Sequence, residues 1–318
     1  MTFKIISASV PGSSHLGQGT VLIGKNNQDA HRIHPKLGED RVWNGGPSPL
    51  IAIVSDGVSS AVDSEVGSKL AVRMVSATIA KEFRRAQLAL GEAVAQGLKI
   101  ESDPLPDAFW KRVDNNAYAP FSTLLTVLSS DDVEFRENLK ELFIFTTLGL
   151  LHTEEYGSWI FGPRGSDGVF AANGKVTVLK PQAGNKPISG CYRFVPNEFQ
   201  DQPELMDTVV HRYFKPGELQ TFLLGTDGVE HLQAAEGKKM PGREERVRPL
   251  KDLWEDPEFF SEDSLQLYLR QINTEWTQLK KPSQEEQKAG KQSRLIREPR
   301  LLLDDTTIIV GRRISSQQ

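Results

Sequence analysis

The chain has 318 residues, with 38 Lys and Arg against 42 Asp and Glu, a formal net charge of −4. A content of 38% hydrophobic and 25% charged residues suits a globular protein with a full core, and the acidic balance argues against nucleic acid as a partner. The single cysteine, Cys191, excludes an intramolecular disulfide, argues against a zinc–thiolate cluster and fits a reducing compartment.

The N-terminal stretch lacks the charged region and long apolar run of a signal peptide. No run of about 18 apolar residues exists anywhere, so no membrane span is expected. These features suggest a soluble cytoplasmic protein with no membrane partner. In chain order, apolar or β-branched runs bounded by turn residues predict strands at Phe3–Val10, Thr20–Ile23, Leu50–Val54, Ser122–Leu128, Phe143–Leu151, Ser158–Gly162, Gly168–Ala171, Lys175–Leu179, Leu219–Leu224 and Thr306–Val310. Alternation in the first is imperfect, since Ile5 and Ile6 must point to opposite faces. Asn173-Gly174 predicts a tight hairpin.

A helix is predicted after Asp63-Ser64, where the rows Val66, Leu70, Met74 and Ala71, Val75, Ile79 build an apolar face continuing through Phe83 towards Leu90. A second is predicted over Ser130–Leu142. A third begins near Ser261, with Leu265, Tyr268, Ile272, Trp276 and Leu279 in phase. Gln233–Pro249 and Lys280–Arg300, charged and rich in turn residues, read as solvated loops or as a flap that contacts substrate. Regular βαβ alternation is absent, which favours antiparallel sheets with helices outside over a parallel doubly wound sheet.

Four patterns place an aspartate beside a strand: Asn27-Gln28-Asp29-Ala30, Ser55-Asp56-Gly57, Thr226-Asp227-Gly228 and Asp304-Asp305-Thr306. A buried strand fixes a carboxylate in space, and glycine allows a sharp turn with an accessible carbonyl. Hard divalent cations prefer such oxygens, and they relieve the repulsion between converging carboxylates. One Asp-Gly after a strand is commonly just a turn. The ordered set is more specific.

In that order, the motifs resemble the protein phosphatase 2C family, particularly its bacterial branch, from about Ser9 to Gly311. The segments are SVPGSSH with NNQDAH, AIVSDGVSSAVDSEVGSKLAV, FSTLLTVL (with FTTLGLLH as a second candidate), GSDGVFAANGKVTVL, LLGTDGVEHL and DDTTIIVGR. The resemblance implies an α+β fold of α-β-β-α layers, two antiparallel sheets flanked by helices, in a single phosphatase domain over 1–318 with an insertion or flap at 233–300. It implies a Mn²⁺- or Mg²⁺-dependent serine/threonine phosphatase that acts on a phosphorylated protein through a metal-bridging water. Asp56 would bridge two ions and the Gly57 carbonyl would bind one. Asp227 and Asp304 would complete the other's shell, Asp29 would act in or just outside it, and Asp167 would help hold a third ion.

Departures from the family pattern leave some roles open. Gln28 stands where glutamate is common, Ser166 where glycine is, and Gly24 where a phosphate-binding arginine is often found. Lys25 and Arg32, with Arg41 and Arg164, are the alternatives for phosphate binding. Val58 stands where animal members carry a histidine, with His15 and His31 as possible neighbours. Thr123 matches the threonine of the Thr-Leu strand. These departures motivate an alternative: a catalytically weak or inactive member that binds phosphoproteins or a partner.

Overall fold

A computed structural model describes residues 2–14, 27–38, 41–45, 48–58, 63–95, 103–129, 141–180, 188–194, 197, 199–283, 285 and 292–314. The strands are β1 (Thr2–Val10), β2 (Ala30–His34), β3 (Val42–Trp43), β4 (Leu50–Gly57), β5 (Phe145–Thr153), β6 (Gly157–Pro163), β7 (Gly168–Ala172), β8 (Lys175–Leu179), β9 (Thr208–Phe214), β10 (Thr221–Gly225), β11 (Trp276–Lys280), β12 (Arg294–Glu298) and β13 (Thr306–Ile314). The helices are α1 (Glu65–Ala95), α2 (Asp107–Ser129), α3 (Gly228–Ala235), α4 (Asp252–Glu255) and α5 (Ser264–Ile272). No described helix is long and apolar enough to cross a membrane.

Two antiparallel sheets stack face to face. One has the order β3-β1-β13-β10-β7-β8, the other β2-β4-β5-β6-β9. Each sheet is buried on both faces, so its central strands read as nearly continuous apolar runs rather than clean alternations. On β4, Leu50, Ala52 and Val54 point between the sheets, while Ile51 and Ile53 point to the helices. On β1 the same division sends Ile5 inward and Ile6 outward, which resolves the imperfect alternation.

The outer face of the β4 sheet packs on α1 and α2 through Val75, Ile79, Phe83, Phe109, Trp110 and Phe121. The outer face of the β1 sheet is covered by α3 to α5, with Leu232, Leu253, Trp254, Leu265 and Leu269. The result is the expected α-β-β-α order of layers. The α1 prediction holds, although Val66 of its predicted apolar row is 41% exposed. The Ser64 hydroxyl donates to the Val58 carbonyl at 3.1 Å, rather than capping the helix.

Several expectations are corrected. Ser122–Leu128 lies inside α2, not in a strand. Its apolar residues fit helical spacing, with Phe121 and Leu125 buried and Val127 and Leu128 exposed. Phe121 packs on Phe143 and Phe145 at ring separations of 5.4 and 5.3 Å, and this packing overrides the strand propensity of the run. The helix near Ser261 ends at Ile272, so Trp276 and Leu279 belong to β11. Gln233–Pro249 is not a loose loop: Met240 and Val247 are buried beside Leu250 in the outer core. The predicted strand Thr20–Ile23 and all but the last two residues of the predicted helix Ser130–Leu142 lie outside the described residues, as do Lys25 and His15.

Candidate metal centre

The centre grows out of the face shared by the two sheets. Following that face by twos along each strand, apolar side chains give way to polar ones at one end. On β4, Leu50, Ala52 and Val54 lead to Asp56, and on β5, Leu150 and Leu148 lead to Thr146. Asp56 and Thr146 are paired across the two strands. On β10, Phe222 and Leu224 lead to Thr226, and β13 runs back from Ile309 through Thr307 to Asp305. The same end receives Asp29 before β2, Asp167 before β7, Asp227 between β10 and α3, and Asp304 before β13.

Carboxylate oxygens of Asp56, Asp167 and Asp227 lie within 4.8 Å of one another. Asp29 and Asp227 are both in hydrogen-bonding reach of Asp56, and the charge of Asp304 is felt at Asp56 and Asp227. Five of the six sequence-predicted metal residues thus converge through their carboxyls. The sixth, Gly57, adjoins them at the end of β4. A Cβ there would come 2.7 Å from the Gln28 carbonyl and 2.8 Å from the Ser64 hydroxyl, so only glycine fits this approach. After Asp167, Gly168 takes φ +115° and lets the chain turn into β7.

A supporting frame fixes the acids. The Thr226 hydroxyl donates to Asp29 Oδ2 at 2.7 Å and accepts from the Thr307 amide at 3.1 Å. Asp305 accepts from the amides of Gly12 and Gln28, both at 2.5 Å. It therefore acts as a clamp between three segments, which leaves Asp304 as the half-buried member of the pair. The Gln28 carbonyl accepts from the Ser68 hydroxyl, which ties the Asp29 segment to α1. Thr226, Thr146 and Asp305 stand within the motifs picked out in the sequence, but no role was assigned to them there. Their signal was the same alternation that identifies the inner apolar positions, carried two residues further.

Electrostatics show what the cluster lacks. Burial, and then the charge of Asp305, raise Asp29 well above the usual carboxylate range. Burial and Asp227 do the same for Asp56. Asp167 is raised to about 7, chiefly by burial and then by Asp227, and Asp227 is raised by burial and then by Asp304. A basic side chain that opposes the rise at Asp227 is His231, one turn along α3. Asp29 Oδ1 and Asp167 Oδ1 are buried without a hydrogen-bond partner among the described residues. Hard oxygen donors, crowded, desolvated and partly orphaned, fit divalent cations of the Mg²⁺ or Mn²⁺ kind.

The other predicted site residues are not among the acids that meet here. Arg32 is on β2 opposite Ile53 and lines a cleft of about 470 Å³ with Ile5, Lys36 and Arg41. Arg41 pairs with Asp263 at 3.2 Å, and Arg164 is exposed. His31 is half-buried, and desolvation lowers its pKa. Thr123 is exposed on α2, where its hydroxyl bonds the Ala119 carbonyl of its own helix at 3.3 Å. The second candidate segment, FTTLGLLH, forms β5, and its Thr146 lies close enough to Asp167 to oppose the rise of its pKa. Val58 is held by its amide on the Ile144 carbonyl at 3.2 Å, and the Cys191 backbone lies in the short turn Gly190–Arg193.

Comparison with known proteins gives the family of the chain. The family model described as protein phosphatase 2C matches residues 12–280. The chain belongs to the protein phosphatase 2C family. Among solved structures, serine-threonine phosphatase 2C from Toxoplasma gondii is 12% identical, with 98% of this chain and 95% of that one covered and a TM-score of 0.50. PppA of Pseudomonas aeruginosa is 15% identical, with 98% of each chain covered and a TM-score of 0.39. RsbX in complex with magnesium is 14% identical, with 98% and 95% covered and a TM-score of 0.39. At 12% identity, the likeness to the Toxoplasma gondii structure bears on the fold alone. No curated protein matches the chain.

Proposed function

We propose that this protein phosphatase 2C domain is a metal-dependent serine/threonine phosphatase that hydrolyses phosphoserine or phosphothreonine in a protein substrate. The observation that carries the reading is the meeting of Asp56, Asp167 and Asp227 within 4.8 Å, from three separate elements and in a largely buried setting. Mn²⁺ or Mg²⁺ would be held by the carboxylates of Asp56, Asp227 and Asp304 and by the Gly57 carbonyl. Asp29 would act beside them, and Asp167 would serve a further, weaker ion. When bound, two such ions supply a water acidified towards neutrality, to a pKa of roughly 7, and neutralise charge on phosphoryl oxygens.

The chain's own residues prepare that chemistry. The rigid strand ends hold the carboxylates before any ligand arrives, so little reorganisation is needed. Thr226 and the Asp305 clamp orient Asp29 and the strand β13 entry. Phosphate recognition falls to a basic side chain, for which Arg32 and Lys25 are our candidates. Direct hydrolysis is favoured over a covalent phosphoenzyme, because water held by the ions would itself be the nucleophile.

Purified protein should hydrolyse a phosphothreonine peptide with Mn²⁺ or Mg²⁺ and lose turnover in excess chelator. Asp56→Asn and Asp227→Asn should each lower kcat by at least about 100-fold while circular dichroism stays native. Full activity in either variant would overturn the assignment. Native fold and Mn²⁺ binding without turnover would instead support a phosphoprotein-binding member.

A further inference from the structure

The strands β11 and β12 form a two-stranded ribbon that joins neither main sheet. One face holds it to the body. The Trp276 indole covers Gly242, and the Gly242 amide donates to Glu298 Oε2 at 2.6 Å. The other face carries Thr277, Leu279, Leu295 and Arg297. There Leu279 and Leu295 are direct cross-strand partners, 57% and 54% exposed.

The charges are as unusual as the apolar pair. β11 and β12 carry Lys280, Arg294 and Arg297 against Glu298, a formal +2 in a chain of −4, so the remainder carries −6. Lys280 and Arg294 stand directly opposite each other, an arrangement that destabilises a ribbon unless an anion answers it. Neither they nor Arg297 make an ion pair among the described residues. Among those residues, each strand also has one edge with no neighbouring strand.

The ribbon is anchored beside the metal centre. Asn273, three residues before β11, donates to the Pro11 carbonyl, and the next residue, Gly12, donates to Asp305. After β12, Leu302 and Leu303 accept from the amides of Ser13 and Ser14 at 3.0 and 3.1 Å. Asp304 follows at once. Three extended residues span only about 10 Å, so the base of the ribbon stays close to the carboxylates.

We propose that the ribbon is a docking arm for an extended acidic segment of the phosphoprotein substrate, added as a third strand. The inference rests on the phosphatase reading and extends it to substrate selection. Polypeptide suits the site better than another polyanion, because only a backbone completes a free strand edge while alternate side chains reach an apolar pair. A second copy of the ribbon would set cation against cation. The rest of the chain, at −6, disfavours long nucleic acids.

Two readouts test the arm separately from the chemistry. In fluorescence anisotropy, a labelled, phosphate-free peptide of alternating Glu and Val should bind the full chain, and an alternating Lys–Val peptide should not. Leu279→Ser with Leu295→Ser, and separately Lys280→Glu with Arg294→Glu, should each weaken binding about tenfold, as loss of an apolar contact plus exposed charge contacts requires. With phosphothreonine peptides, the same variants should raise KM for an acidic-flanked substrate by about tenfold at constant kcat, leaving p-nitrophenyl phosphate kinetics unchanged. If p-nitrophenyl phosphate is not hydrolysed by the unaltered protein, the phosphatase reading fails and the anisotropy result still decides the arm. Equal binding of both peptides, or binding indifferent to both double variants, overturns the proposal. So does variant-sensitive attachment to phosphatidylglycerol vesicles, or a variant-sensitive dimer in sedimentation, with no acidic-peptide binding.

Discussion

Thr226 sits between two strands and one acid, donating to Asp29 and receiving the Thr307 amide. Thr226→Val preserves shape and removes both bonds, leaving Asp29 Oδ2 without its donor. Mn²⁺ affinity measured by calorimetry should fall about 10- to 100-fold, as is usual when a partner that orients a ligand is lost. Thr226→Ser should retain most of it. Equal affinities in the Val and Ser variants would show that the hydroxyl does not position Asp29. At this scale the aspartates were legible in sequence because each follows or precedes a recognisable strand. Their supporting groups were not, since threonine within a β-branched run is indistinguishable from strand filler until the inner face is known. The basic residue for phosphate was illegible for another reason: long flexible cations are positioned by packing, not by spacing.

Among the elements, α2 is where local signals misled. FSTLLTVL has a β-branched, apolar composition, and Pro120 lies immediately upstream, inside the helix, where it removes a backbone hydrogen bond. Tertiary packing decides the outcome: Phe121 is fully buried against Phe143 and Phe145, while Thr123 and Val127 face outward. Phe121→Ala should therefore cost about 3–5 kcal/mol in urea unfolding, and Val127→Ala less than about 0.5 kcal/mol. Comparable losses would contradict the helical phase. The strand and turn predictions around the centre succeeded because buried sheets leave long apolar runs with abrupt polar ends. The edge strands β2, β3 and β9 were missed because half-buried edges carry mixed side chains.

For the molecule as a whole, stability has a titratable element far from the carboxylates. His152 is buried between Phe3 and Trp43, with its rings 5.0 Å from each, and its Nδ1 lies 2.7 Å from the Ser158 hydroxyl. Burial, followed by the charge of Arg313, depresses its pKa to about 3, although Glu154 lies 3.6 Å from Nε2. The unfolded chain, with an ordinary histidine near 6.5, therefore binds the proton first. The neutral side chain's contribution is complete above about pH 6.5 and declines as pH falls towards 3. Between pH 6.5 and 5 this amounts to about 2 kcal/mol. Urea unfolding of the unaltered protein and of His152→Gln at pH 7.5, 6 and 5 should show this extra acid sensitivity only in the former. Parallel pH dependence in the two proteins would mean that His152 is not held neutral.

One feature of the sheet order reaches into how the protein is made. β13 lies between β1 and β10, and it pairs with β1 along the full length from Thr2–Ile314 to Val10–Thr306. During synthesis β1 therefore waits for β13, which comes after every other described strand, and Asp304 arrives only with it. A nascent chain stalled before that point holds Asp56 and Asp227 without the strand that closes the sheet around them. Linking the paired residues Thr2 and Ile314 by a short loop and opening the chain at the Asn173–Gly174 turn would change the order of synthesis while keeping the same contacts.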